Sequence, residues 1–301
     1  MNEKHIHYIL TVLKEGSFTS AAKKLFVSQP SLSQIIKAAE TNLGAPIFNR
    51  NTDPITLTPA GELYVDAAKQ ILSISNNLSI QIDELRHEEF GTLHLGIAVQ
   101  RGMELLPYLY PRFQERFPHV HLQLHELGSA DMEKSLLDGS LSIALLTTSP
   151  KYEELIYELI QKENLILIVN KNCDFARNFV PGTPIEITDA KNEIFVCSKH
   201  GHSARKILDA LFIAHEIKPN IGLETASIEI GKRIVSTSKV VMACPDAYVD
   251  MSNSETSPYY AYPILGVETP RHFYACYRKD LYLTKYIRGL LEILHEYAQG
   301  G

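Results

Sequence analysis

The sequence contains no tryptophan, and none of its four cysteines stands in a C-x-x-C pair: Cys173, Cys197, Cys244 and Cys276 lie far apart. That spacing excludes a disulfide framework or a thiol-built zinc site and fits reduced thiols in a cytoplasm. No stretch approaches the roughly 18–20 unbroken apolar residues of a membrane span, so no membrane partner is expected. The start, Met1-Asn2-Glu3-Lys4-His5, carries an acid and runs into a periodic segment, unlike a secretory signal. Catalytic signatures are missing as well: there is no G-x-S-x-G, P-loop, H-E-x-x-H or G-x-G-x-x-G. Neither an enzyme nor a bound cofactor is expected.

What is present is a 301-residue chain, 45% apolar and 21% charged, long enough for about two domains. Its net charge of −6, taken whole, argues against nucleic acid. The charge is uneven, however. Residues 1–60 hold six bases (Lys4, Lys14, Lys23, Lys24, Lys37, Arg50) against four acids (Glu3, Glu15, Glu40, Asp53), a net +2 that leaves −8 for the rest. A slightly basic head on an acidic body implies two jobs.

In the head, Ile6, Ile9, Leu10 and Leu13 recur at helical spacing up to Gly16. Ser17 can cap a second helix, Phe18 to Phe26, that buries Phe18, Ala21, Ala22 and Leu25. Ser28 caps a third, with Gln29-Pro30 in its first turn, where proline costs no hydrogen bond. Leu32, Ile35, Ile36 and Ala39 form its apolar side and Gly44 ends it. Two short helices around a tight turn predict a helix-turn-helix whose second helix enters the major groove. The polar residues Ser28, Gln29, Ser31, Ser33, Gln34 and Lys37, with Pro30, are its candidate DNA contacts. Gln suits adenine, Ser is a short donor-acceptor, and Lys is a phosphate or guanine ligand. Pro46–Arg50 and Pro54–Thr58 then read as the strands of a wing, with Arg50 near the phosphate backbone or minor groove.

Ser17-Phe18-Thr19-Ser20-Ala21-Ala22, Leu25-Phe26-Val27-Ser28-Gln29-Pro30-Ser31-Leu32-Ser33, Leu43-Gly44, Phe48-x-Arg50 and Leu57-Thr58-Pro59-Ala60-Gly61 resemble the signature of LysR-type transcriptional regulators. The resemblance implies that Gln29, Pro30, Ser33 and Gln34 lie along the recognition helix at double-stranded DNA. Asp53 departs from the pattern, standing where many relatives carry a base.

From Pro59 to about His87 there is no glycine after Gly61 and no further proline. Ile71, Ile74, Leu78, Ile82 and Leu85 form a narrow seam of coiled-coil type on a helix of about 40 Å. Such a seam is buried either on the chain's own body or on a second copy. The resemblance implies the latter, a homodimer or homotetramer, with RNA polymerase as a further partner.

Beyond residue 90, strand and helix patterns alternate, which predicts a mainly parallel, doubly wound α/β body. The expected architecture is a winged helix-turn-helix over residues 1–60, a linker helix over 61–90 and a sensor over 91–301. Two lobes are expected in the sensor, 91–162 with 269–301 and 163–268. Gly91-x-Leu93-x-Leu95-Gly96, Leu106-Pro107, Phe117-Pro118 and Leu136-x-x-Gly139 are similar to the LysR effector domain, which shares the periplasmic-binding-protein fold. Ser142 departs from it, replacing a usual Asp.

Ligands of two-lobed α/β proteins bind at strand C-termini and helix N-termini. Position therefore selects Gln100, Arg101, Ser129, Thr147, Thr148, Ser198, His202, Ser203 and Thr225 as effector-binding candidates. Hydroxyls at helix starts with one arginine point to a small-molecule effector, a carboxylate or other anion. The same residues also serve as ordinary caps and surface charge. His119, His121 and His125 share a strand face without a carboxylate or Cys at ligand spacing, so no metal site is expected. Ser203 stands where peroxide-sensing relatives carry a reactive Cys, and Cys197 reads as a buried, inert thiol. The competing class is a solute-binding or enzymatic two-lobed α/β protein with an incidental helical N-terminus.

Overall fold

The computed structural model describes residues 2–85, 90–249, 257–267 and 271–300. The chain divides into two compact units, Met1–Glu88 with Asp280–Tyr282, and Glu89–Lys279 with Leu283–Gly301. The boundary expected at 268/269, and the side chain of Leu85, lie outside the described residues.

The first unit begins with helices α1 (Glu3–Glu15), α2 (Phe18–Lys24) and α3 (Gln29–Leu43). Side chains of Asn2, Ser17 and Ser28 cap their N-termini, and glycines in left-handed conformation close α1 and α3. Helix α2 is two residues shorter than expected because Val27 N–H bonds back to Ala22 O and Phe26 N–H to Lys23 O, a Schellman turn. A two-stranded wing follows, β1 (Phe48–Asn49) antiparallel to β2 (Thr56–Leu57). Helix α4 (Pro59–Leu85) comes next. Ile6, Ile9, Val12, Ala21, Leu32, Ile36, Ile47 and Phe48 form the core together with Tyr64, Val65 and Ala68 of α4. The start of the long helix is thus packed into the head. Gly61 permits this: a Cβ there would lie 2.0 Å from the Ile47 carbonyl oxygen.

The second unit contains two five-stranded sheets. The first, ordered β4-β3-β5-β12-β6, comprises β3 (Gly91–Ile97), β4 (Val120–Glu126), β5 (Ile143–Leu146), β6 (Leu155–Glu163) and β12 (Arg271–Arg278). Helices α5 (Val99–Arg116), α6 (Ser129–Leu137) and α10 (Lys285–Gly300) cover it. The second, ordered β11-β7-β10-β8-β9, comprises β7 (Leu165–Asn170), β8 (Ile194–Ser198), β9 (Asn220–Thr225), β10 (Val241–Pro245) and β11 (Tyr259–Pro263). It carries α7 (Asp174–Asn178), α8 (Ser203–Ala214) and α9 (Ile228–Thr237).

Each sheet has a parallel trio, β4-β3-β5 or β9-β8-β10, flanked by two antiparallel strands. The expected mainly parallel sheet is therefore mixed, because β12 and β6 in one sheet, and β7 and β11 in the other, pair antiparallel. Strand β7 is buried on both faces: Leu165, Leu167 and Val169 pack toward α8, Ile166 and Ile168 toward α9. That explains its unbroken apolar run.

Candidate functional site

On α3 the apolar residues Leu32, Ile36 and Ala39 are buried, so the opposite stripe is left outward. Gln29, Pro30, Ser31, Gln34 and Lys37 are exposed and Ser33 is half-buried. Gln29, Ser33 and Lys37 follow one another at four-residue steps along a single face. Ser28 has a different task, since its hydroxyl accepts from Ser31 N–H at 3.3 Å as the N-cap. Arg50 is not a free wing charge. Its guanidinium pairs with Glu40 at 2.9 Å, donates to Ser33 Oγ at 3.4 Å and lies 5.2 Å from the Phe18 ring centre. Glu40 in turn accepts from the backbone of Ile47 at 2.9 Å. Arg50 and Glu40 thus clamp the wing to the recognition helix, a link between residues that sequence reading treated separately.

In the sensor, the C-terminal ends of the parallel strands lead into α5, α6, α8 and α9. Helix α5 starts at Val99, six residues before the expected Leu105, so Gln100 sits in its first turn. The Gln100 carbonyl reaches the start of α9, in the other lobe, accepting from Glu229 N–H at 3.2 Å and Ser227 Oγ at 3.5 Å. Thr225 Oγ1 accepts from Ser227 N–H at 3.1 Å in the same corner. Glu104 and Lys232 bridge the lobes again at 3.4 Å. Burial pulls the Lys232 ammonium down, but Tyr259, Glu229 and Glu104 outweigh it and hold its pKa above the usual lysine range.

Thr147 follows β5, and its Oγ1 accepts from Arg271 at 2.8 Å. Thr148 is its neighbour, and Ser129 opens α6, both half-buried. Ser198 is buried and its carbonyl accepts from Arg205 at 3.0 Å, while exposed His202 is the N-cap position of α8 and Ser203 its first residue. Gln100, Thr225 and the start of α9 are drawn together by these bonds, whereas among the described residues Ser129, Thr148, His202 and Ser203 make no hydrogen bond to them.

Arg101 requires correction. It is 2% exposed and bonded to Glu163, which is fully buried. Its guanidinium lies 4.1 Å from the Phe273 ring centre and 5.0 Å from that of Tyr248, and burial lowers its pKa. Arg271 meets the other Glu163 oxygen at 3.3 Å. Arg101 is therefore a buried cation and not a surface charge, tying α5 to the ends of β6 and β12 through Glu163 and the Phe273 ring. Sequence reading missed Ser227, Glu163 and Arg271 because each gains its role only from a partner distant in the chain.

Cys197 is fully buried, and burial pushes its thiol up to about 11. His94 Nδ1 and His125 Nε2 lie 3.0 Å apart; burial, then His125 and His121, hold His94 below the usual histidine range. A groove of about 470 Å³ runs between α5 and edge strand β4, lined by Val99, Met103, Leu106, Tyr110, Leu122 and Leu124 among others. It contains none of the expected effector residues. Among the described residues, no helix is long and apolar enough to cross a membrane.

The chain is similar to known regulators over nearly its whole length. An uncharacterized HTH-type transcriptional regulator of Bacillus subtilis (strain 168), YcgK, is 26% identical over 312 residues, covering 98% of this chain and 94% of its own. A probable RuBisCO transcriptional regulator of Thalassiosira pseudonana is 31% identical over 232 residues, 75% of each chain. Of solved structures, a full-length OxyR variant from Pseudomonas aeruginosa superposes with a TM-score of 0.69 at 20% identity, covering 98% of both chains. Full-length CbnR bound to its target DNA gives 0.58 at 19% identity, covering 98% of this chain and 99% of that one. These two likenesses speak to fold alone. Residues 4–62 match the "Bacterial regulatory helix-turn-helix protein, lysR family" and residues 86–299 the "LysR substrate binding domain". The chain belongs to the LysR family of DNA-binding transcriptional regulators.

Proposed function

We propose that this regulator is controlled by a small carboxylate or other anion bound between the two lobes of the sensor. The observation that carries this reading is the Gln100 carbonyl seated on the first turn of α9. A helix N-terminus presents unpaired N–H groups and a positive dipole end, and here a neutral acceptor from the opposite lobe fills it. An anion offers a stronger acceptor to the same donors. Ser129 at the start of α6 and Thr147 after β5 supply further donors on the facing lobe.

In this reading residues 1–60 read DNA through Gln29, Ser33, Gln34 and Lys37, 61–90 join two copies, and 91–301 sense the effector in the cytoplasm. Dimers or tetramers form through α4, whose Ile71, Ile74, Leu78 and Ile82 are 37%, 67%, 56% and 41% exposed in the single chain. The α5/β4 groove offers a second apolar face for assembly. Effector binding shifts the lobe arrangement and hence the spacing of paired heads on DNA and their contact with RNA polymerase.

A thermal-shift screen of small carboxylates and inorganic anions on the full-length protein tests the sensor. A ligand of the folded state raises the melting temperature by mass action, about 2.7 kcal/mol at a hundredfold excess over Kd. The expected hit loses its effect in Thr147→Val and gains affinity in Gln100→Ala, which removes the competing acceptor. A hit unaffected by both substitutions would place the effector elsewhere.

A further inference from the structure

Phe26 is the most exposed large apolar side chain among the described residues, at 96%. It is also held at φ +54°, in the left-handed region. Bulky residues rarely adopt that conformation, which glycine or asparagine enters with less strain. The position is the closing residue of the Schellman turn that ends α2, where glycine is the usual occupant. Phe26 therefore combines backbone strain with a wet aromatic ring, and the head core of Ile6, Ile9, Leu32 and Ile36 excludes it.

The turn itself has no need of a ring. The same pair of hydrogen bonds closes α8, where Glu216 takes φ +54° in the equivalent place. Phe26 also lies outside the α4 seam that accounts for Ile74 and Leu78. Its location is informative: it precedes Gln29 by three positions, so their Cα atoms are within roughly 11 Å, less than the ~12 Å width of the major groove. The end of α3 that enters the groove is thus the end beside Phe26.

We propose that Phe26 is a further DNA-contacting residue, its ring packing on apolar carbon at the lip of the major groove, a thymine 5-methyl or the adjoining deoxyribose. Being uncharged, it neutralises no phosphate, so its contribution is independent of salt. The proposal rests on the reading of α3 as the recognition helix.

The test uses the full-length protein and a labelled duplex from the DNA upstream of its own coding sequence, chosen by footprinting. Phe26→Asn relieves the left-handed strain, so its melting temperature stays equal or rises. Its Kd is expected to weaken about tenfold, which burial of roughly 50–60 Å² of apolar ring is worth, with the slope of log K against log salt unchanged. Phe26→Tyr keeps the ring and binds within about twofold of the parent on the same reasoning. Single thymine-to-uracil replacements assign the carbon: a loss seen with the parent and absent in Phe26→Asn places the ring on that methyl, and no such loss places it on deoxyribose. Parent-like affinity of Phe26→Asn, or a changed salt slope, overturns the proposal. Gln29→Ala serves as the separate control. If it leaves sequence selectivity untouched, the recognition-helix reading itself fails; if it relaxes selectivity while Phe26→Asn matches the parent, only the Phe26 assignment falls.

Discussion

Arg101 and Arg50 both read as free cations in the sequence, and both are committed to carboxylates in the fold. Glu163 lies 62 positions from Arg101, and no local pattern joins them. Because both are nearly or fully buried, removing Arg101 leaves the Glu163 carboxylate with Arg271 alone, at 3.3 Å. Arg101→Gln is expected to cost about 3–5 kcal/mol, read as a lower urea midpoint of the full chain; a loss below about 1 kcal/mol would contradict a buried pair. His94 supplies a pH dependence. Its folded pKa is depressed, so below the ordinary value of ~6.5 the unfolded chain binds more protons. The stability term is present above that value and lost as pH falls toward the folded pKa. The midpoint should therefore drop as pH falls below about 6.5, and drop less in His94→Gln; identical pH profiles would remove His94 from the account. What the sequence did display at this scale was the polar face of α3, since Gln29, Ser33 and Lys37 need only helical periodicity to share a side.

Among the elements, those with strong local signals were legible and those defined by tertiary pairing were not. Ser28 and Gly44 placed α3 within a residue or two, and Gly16 placed the end of α1. Helix α5 begins six residues before the expected Leu105, and the added turns carry Gly102, a weak helix former. Residues 155–163 and 259–263 gave no strand reading; β6 and β11 are outer strands of their sheets, held by β12 and β7. Helix α4 shows the converse. Its seam is plain in the sequence, and the single chain leaves it wet. Leu78→Glu should therefore convert the assembly to smaller species in sedimentation equilibrium, leaving far-ultraviolet dichroism unchanged; an unaltered mass would assign assembly to another face. Gly61→Ala tests how α4 enters the head. With a Cβ 2.0 Å from the Ile47 carbonyl oxygen, it should lower the head's melting temperature and weaken binding to all DNA sequences alike, whereas an unchanged melting temperature would contradict the close approach.

For the whole molecule, the net charge of −6 averages over a +2 head and an acidic remainder that meet different partners. Both lobes have the same layout, a parallel trio whose C-terminal ends carry helix N-termini, and Gln100 already joins one to the other. In the proposed function, a ligand that replaces this contact would alter the balance between lobe arrangements, and paired heads would register the change on DNA. Footprinting the full-length protein on the DNA upstream of its own coding sequence, with and without a carboxylate that raises its melting temperature, tests that claim most directly. The account predicts a protected two-part site whose pattern changes on adding the ligand, and no change in the Thr147→Val variant. Absence of protection at low salt, or one pattern regardless of saturating ligand, would contradict it.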